Sequence, residues 1–150
     1  MLLNSSSAAY AGQPSLLEPF TTSTFGSATV ASVVRLRPRI RGGLPPRSLR
    51  RVREYIEAHL EENISIQVLA GIAGLSMYHF ARAFKQSEGM TPHDYVVQCR
   101  VRRAKDLLAA TDLPLSEIAL AAGFSDQSHC ARRFREHVGV TPSSYRWSTR

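Results

Sequence analysis

The chain has 150 residues, 43% hydrophobic and 21% charged, a composition that suits one ordinary globular domain. No apolar run approaches the roughly 18 residues of a membrane span, and residues 1–13 carry no basic stretch ahead of an apolar core, so neither a span nor a secretory signal is expected. Two cysteines, Cys99 and Cys130, with no C-x-x-C, make no disulfide framework and point to a reducing, cytoplasmic compartment. The net charge of +7 is uneven. Eight arginines lie within residues 35–53 with no acid among them, whereas residues 54–150 carry 11 bases and 11 acids. A nucleic-acid partner must therefore be argued from where the bases sit, not from their total.

Residues 1–46 are rich in Ser, Thr, Ala, Gly and Pro, with Glu18 as their single acid. They read as a disordered tail. It ends in the alternating run Arg35, Arg37, Arg39 and Arg41, followed by Gly42, Gly43, Pro45 and Pro46. That run reads either as a solvated linker or as an arm that touches phosphate. Beyond it the period becomes helical. Leu49, Val52, Ile56 and Leu60 fall on one face of a helix expected to end near Asn63, and the rest reads as short helices punctuated by Gly and Thr-Pro.

The most informative feature is an internal repeat. Ala70, Ala73, Gly74 and Ser76 recur as Ala119, Ala122, Gly123 and Ser125. After a one-residue insertion, Arg82, Phe84, Gly89, Thr91, Pro92 and Tyr95 recur as Arg132, Phe134, Gly139, Thr141, Pro142 and Tyr145. Each copy makes physical sense as a helix-turn-helix. A short helix carries Val68, Leu69 and Ile72, or Ile118 and Ala121. Ala70 and Ala119 allow the two helices of a motif to cross closely. Gly74 and Gly123 can take the left-handed conformation that ends the first helix, Leu75 and Phe124 plug the turn, and Ser76 and Ser125 cap the next helix. That second helix buries Phe80 and Phe84, or Cys130 and Phe134. Its other face carries Tyr78, His79, Arg82, Lys85 and Gln86, or Gln127, Ser128, His129, Arg132 and Arg133.

Between the copies, Thr91 as cap and Pro92 at the first helical position start a helix whose stripe is Val97, Val101, Ala104 and Leu108. Running to about Ala110, it would span about 30 Å. Successive major grooves on one face of B-DNA lie about 34 Å apart, so such a helix can hold two reading helices in adjacent grooves. A last helix from Thr141-Pro142, with Tyr145 and Trp147, is expected to close the second core. The fold class is thus all-α: about seven helices, two helix-turn-helix subdomains (about 47–90 and 111–147) and a long linker helix (about 91–110) within a domain of residues 47–150.

The second copy resembles the AraC/XylS family of bacterial transcription regulators through Ile118-Ala119, Gly123-Phe124, Asp126-Gln127-Ser128, Arg132, Phe134, Gly139 and Thr141-Pro142-x-x-Tyr145-Arg146. The first copy matches through Leu69-Ala70, Leu75-Ser76, Arg82, Phe84 and Gly89, and the linker through Arg100, Ala104 and Leu107-Leu108. The resemblance covers residues 48–145. It implies a seven-helix DNA-binding domain in which the second helix of each motif enters the major groove. Base contacts would come from Tyr78, Ala81, Arg82, Gln127, Ser128 and Arg132, and DNA backbone contacts from Ser76, His79, Lys85, Ser125, His129 and Arg133. An Arg can take guanine O6 and N7 together, worth about 1–3 kcal/mol against the wrong base. Arg100, Arg102, Arg103 and Arg135 are read as phosphate ligands or as a solvated face.

Three departures stand out. Ala81 and Ala131 lack hydrogen-bonding capacity at reading positions, Cys130 stands where a larger apolar residue is expected and leaves the second core slightly underfilled, and only about 46 residues precede the first helix where relatives carry a ligand-binding domain, which reads either as a stand-alone version or as a truncated product, so effector sensing is not expected. The expected function is a sequence-specific DNA-binding transcription regulator, monomeric on double-stranded DNA, with RNA polymerase as a further candidate partner. No enzyme activity, metal, cofactor or membrane association is expected. The rival readings are a protein-interaction module with degenerate DNA binding, and a DNA-repair alkyl-transfer protein, which would need an exposed reactive cysteine; Cys99 and Cys130 read instead as core thiols.

Overall fold

A computed structural model describes residues 42–150, so the expected tail and the Arg35–Arg41 run lie outside the described residues. Seven helices follow in order: α1 Pro46–Ala58, α2 Ile66–Ala73, α3 Met77–Glu88, α4 Pro92–Ala110, α5 Leu115–Ala121, α6 Gln127–Val138 and α7 Pro142–Ser148. There is no strand among the described residues. Among the described residues the all-α expectation and its count of about seven helices hold, and none of these helices is long and apolar enough to cross a membrane.

Two hydrophobic clusters hold the helices together. The first gathers Leu44, Val52, Ile56, Leu69, Ala70, Phe80, Ala83, Phe84, Val96 and Cys99. The second gathers Val97, Val101, Ala104, Leu108, Ile118, Ala119, Ala122, Phe124, Cys130 and Phe134. The helix α4 serves both, because its 19 residues carry two apolar stripes. Thr91 caps it by accepting from the Asp94 N–H, with Pro92 at the first helical position. Leu44, which the sequence placed before the folded part, is buried, and its N–H donates to Ser87 Oγ at 2.8 Å.

Local chemistry corrects several boundaries. The helix α1 ends at Ala58 rather than near Asn63. His59 leaves the helical region, stacks on Tyr55 at 4.0 Å and places its Nδ1 2.8 Å from the Tyr55 carbonyl oxygen. Leu60 still packs against the first core, but from the turn that follows. Trp147 does not close the second core: it is 85% exposed, and Tyr145 alone of the pair packs there, edge-on to Phe134.

Candidate nucleic-acid interface

The two helix-turn-helix motifs are α2–α3 and α5–α6. In each, glycine makes the turn through a positive φ, 71° at Gly74 and 90° at Gly123, a region that disfavours residues with a Cβ. Capping then differs between the copies. Ser76 accepts from the His79 N–H and starts α3 as expected. Ser125 does not cap α6: Asp126 does, accepting from the His129 N–H at 2.7 Å, while Ser125 Oγ donates to Asp126 Oδ2 at 3.0 Å. The inserted residue of the second copy shifts the helix start by one place, and a carboxylate takes over the cap. These two hydrogen bonds hold the Asp126 carboxyl below its usual pKa, the His129 N–H contributing most.

Four of the six expected backbone-contact residues form two Ser–His pairs. Ser76 Oγ lies 2.9 Å from His79 Nδ1, and Ser125 Oγ lies 3.2 Å from His129 Nδ1. The same Ser–His pairing thus recurs at the mouth of both motifs even though the capping residue changes. Lys85 is exposed on α3, whereas Arg133 is partly buried on α6 and ion-paired to Glu136 at 3.0 Å.

The expected base-reading residues lie on the outer faces of α3 and α6. Tyr78, Arg82, Gln127, Ser128 and Arg132 are exposed, and Ala81 is half-buried beside them. Arg82 leans over the Tyr78 ring, its guanidinium carbon 5.8 Å from the centroid, with Nη1 3.5 Å from the phenol oxygen. The equivalent of Tyr78 in the second copy is Ser128, so Arg132 has no such platform. Among the described residues it has no hydrogen-bond or ion-pair partner, and it lines a shallow groove of about 460 Å³ with Ala131, Arg135, Glu136 and Thr141.

Arg100 does not lie on a solvated face: it is half-buried, with Nε donating to the Leu60 carbonyl at 3.0 Å and Nη2 to that of Glu62 at 2.8 Å. The sequence could not show this, because the acceptors are backbone atoms about 40 positions away. Arg102 meets Glu57 instead, 2.9 Å across an exposed surface. Cys99 and Cys130 are buried free thiols as expected. Burial pushes both up, Cys130 to about 11.

Residues 69–148 match the model of a family described as a helix-turn-helix domain. The probable transcriptional regulator LumQ of Photobacterium leiognathi is 41% identical over 96 residues, which are 64% of this chain and 39% of that protein, so the chain spans about two fifths of that relative's length. Among solved structures, an AraC-type transcriptional regulator from Chromobacterium violaceum aligns with a TM-score of 0.65 at 33% identity, over 68% of this chain and 91% of that one. The DNA-binding domain of the global transcriptional factor AdpA, solved in complex with a target DNA, aligns with a TM-score of 0.64 at 30% identity, over 67% and 91%. A duplicated helix-turn-helix on a shared linker helix, with these matches, defines the class as AraC-type helix-turn-helix domains. The chain belongs to the AraC/XylS family.

Proposed function

We propose that this chain is a sequence-specific DNA-binding transcription regulator, acting without enzymatic chemistry, in the cytoplasm, as a monomer on double-stranded DNA. The observation that carries the reading is the duplicated exposed face: α3 and α6 present Arg82 and Arg132 at equivalent positions of the two copies, each on a helix started by a capped turn. In this reading residues 47–90 and 111–147 are two reading subdomains and α4 is the bar between them. At 19 residues α4 is about 28 Å long, near the spacing of successive major grooves. The DNA complex of the AdpA domain supports duplex DNA as the partner.

The division of labour follows from the side chains. Arg82 and Arg132 take guanine edges bidentately; Tyr78, Gln127 and Ser128 meet neighbouring bases, and Ala81 meets a thymine methyl. Ser76, His79, Lys85, Ser125, His129 and Arg133 face the phosphates and set register and affinity. Arg132 is free to reach, whereas Arg82 must leave Tyr78 and Arg133 must leave Glu136. Both of those contacts are on the surface and hold weakly. RNA polymerase is the further candidate partner in this reading.

Selection from a random duplex library at near-physiological salt tests the reading. Two short enriched motifs about one helical turn apart are expected. Salt-sensitive binding with no enrichment would overturn it and leave a phosphate-binding interaction module.

A further inference from the structure

The two apolar stripes of α4 face different cores. Val96 and Cys99 belong to the first, and Val97, Val101, Ala104 and Leu108 to the second. At 3.6 residues per turn the stripes are centred about 140° apart around the helix, and Arg100 falls between them, on the seam. Its guanidinium is half-buried there and holds two main-chain carbonyls, of Leu60 and Glu62. Those carbonyls follow the end of α1, where the chain has left the helix. Burial lowers the pKa of Arg100 from its ordinary value.

The second copy arrives at the same place. A Cβ at Gly123 would stand 1.8 Å from the Leu60 carbonyl oxygen and 2.8 Å from Arg100 Nε. At Gly74, the equivalent turn of the first copy, a Cβ would meet nothing within 4 Å. The turn of the second motif is therefore pressed onto the loop after α1 and onto Arg100, and the turn of the first motif touches nothing comparable. Three elements meet at one carbonyl: the loop after α1, the linker helix, and the turn just before the second reading helix. The planar guanidinium fixes direction as well as distance, since its donors form a rigid fork. The ion pair between α1 and α4, Arg102 to Glu57, joins two exposed side chains and constrains little beyond the core that the two helices share.

We propose that Arg100, gripping Leu60 and Glu62 against Gly123, is a positioning residue that locks the two helix-turn-helix motifs in one relative orientation and so sets the permitted spacing between the two half-sites. The inference rests on the DNA-reading function proposed above. It assigns specificity for spacing to a residue that touches no base, while the faces of α3 and α6 assign specificity for sequence.

The test uses Arg100→Ala and Arg100→Lys in the full chain. Lysine keeps the charge but lacks the fork, so it should behave like alanine. Amide residual dipolar couplings are measured first, without DNA. One alignment tensor should fit residues 47–90 and 111–147 of the wild type together. In both variants each segment should fit its own tensor well, which shows that it is folded, while the two tensors diverge. Library selection then reads spacing: the wild type should favour one half-site spacing about tenfold over its neighbours, and the variants should accept several spacings with the same two motifs. A single common tensor in Arg100→Ala overturns the lock. Diverging tensors with an unchanged spacing profile overturn its role in specificity. A wild type that enriches no bipartite site is the failure of the DNA-reading function itself, and this inference falls with it.

Discussion

The two helix-turn-helix copies fill their cores in different ways, and the difference is a compensated exchange. In the first copy the aromatic bulk sits on the reading helix: Phe80 is buried, tilted against Phe84 at 5.5 Å, and the turn residue Leu75 is 38% exposed. In the second copy the reading helix offers only Cys130 at the place of Phe80, and the turn residue Phe124, at the place of Leu75, is buried instead and lies edge-on to His129 at 5.3 Å. What remains beside Cys130 is a void of about 10 Å³, lined by Leu108, Leu115, Ile118, Gln127, Ala131 and Pro142. That is about the smallest space that admits one water. The aromatic has moved from helix to turn, and the core closes in either arrangement. The shared scaffold is the second aromatic pair, Phe84 on Tyr95 and Phe134 on Tyr145, 5.4 and 5.5 Å apart and near-perpendicular in both.

Phe80→Ala should cost about 3–5 kcal/mol, the range for truncating a buried aromatic, whereas Cys130→Ala, at the equivalent place, should cost about 1 kcal/mol. Phe124→Ala should resemble Phe80→Ala, and Leu75→Ala should be nearly silent; chemical denaturation of the four variants checks all of this. Equal losses at Phe80 and Cys130 would mean that the exchange is not what fills the second core. Next come the turn glycines. Gly74→Ala should cost about 1 kcal/mol for its positive φ alone. Gly123→Ala should cost about 3 kcal/mol, because its Cβ also meets the Leu60 carbonyl.

Acid should separate the two caps. The Asp126 carboxyl has its pKa lowered in the folded chain, so the unfolded chain takes up the proton first as pH falls. The stabilisation is complete above the ordinary carboxylate range near pH 4 and is lost as pH drops through the folded value. Ser76 has no such proton. Amide exchange below pH 4 should therefore show the first turn of α6 fraying before that of α3, and Asp126→Asn should abolish the difference. The smallest effect is chemical. Both thiols are buried with raised pKa, so native protein should react slowly with iodoacetamide at pH 8 and denatured protein quickly. Cys130 should also make stability fall between about pH 9 and about pH 11, because the unfolded chain ionises first.

How much of this was legible in the sequence differs by kind of contact. Periodicity and the repeat placed the helices, the buried stripe Val97, Val101, Ala104 and Leu108, the left-handed glycines and the Thr91 cap, because each depends on neighbours within a turn or two. The repeat aligns Ser125 with the Ser76 cap, but the inserted residue moves the start of α6 one place on and hands the cap to Asp126. The exposure of Leu75 and Trp147 is not legible, because burial of an apolar residue depends on what faces it, and chain order does not state that. The role of Arg100 lay furthest from view: a guanidinium bound to carbonyls has no partner signature in sequence, and the close approach of Gly123 is masked by the glycine's other reason for being there. The candidate reading faces were legible as exposed helix faces, but not the pairings that occupy Arg82, Arg133, His79 and His129 in the free protein.

In the proposed function α3 and α6 each enter a major groove of the same duplex. Guanine N7 faces that groove, so methylation interference on a selected binding site reads both contacts. Two clusters of interfering guanines should appear on one face of the duplex about one helical turn, roughly 10 base pairs, apart. Arg82→Ala should erase one cluster and Arg132→Ala the other. A single cluster, or one indifferent to both substitutions, would contradict the claim.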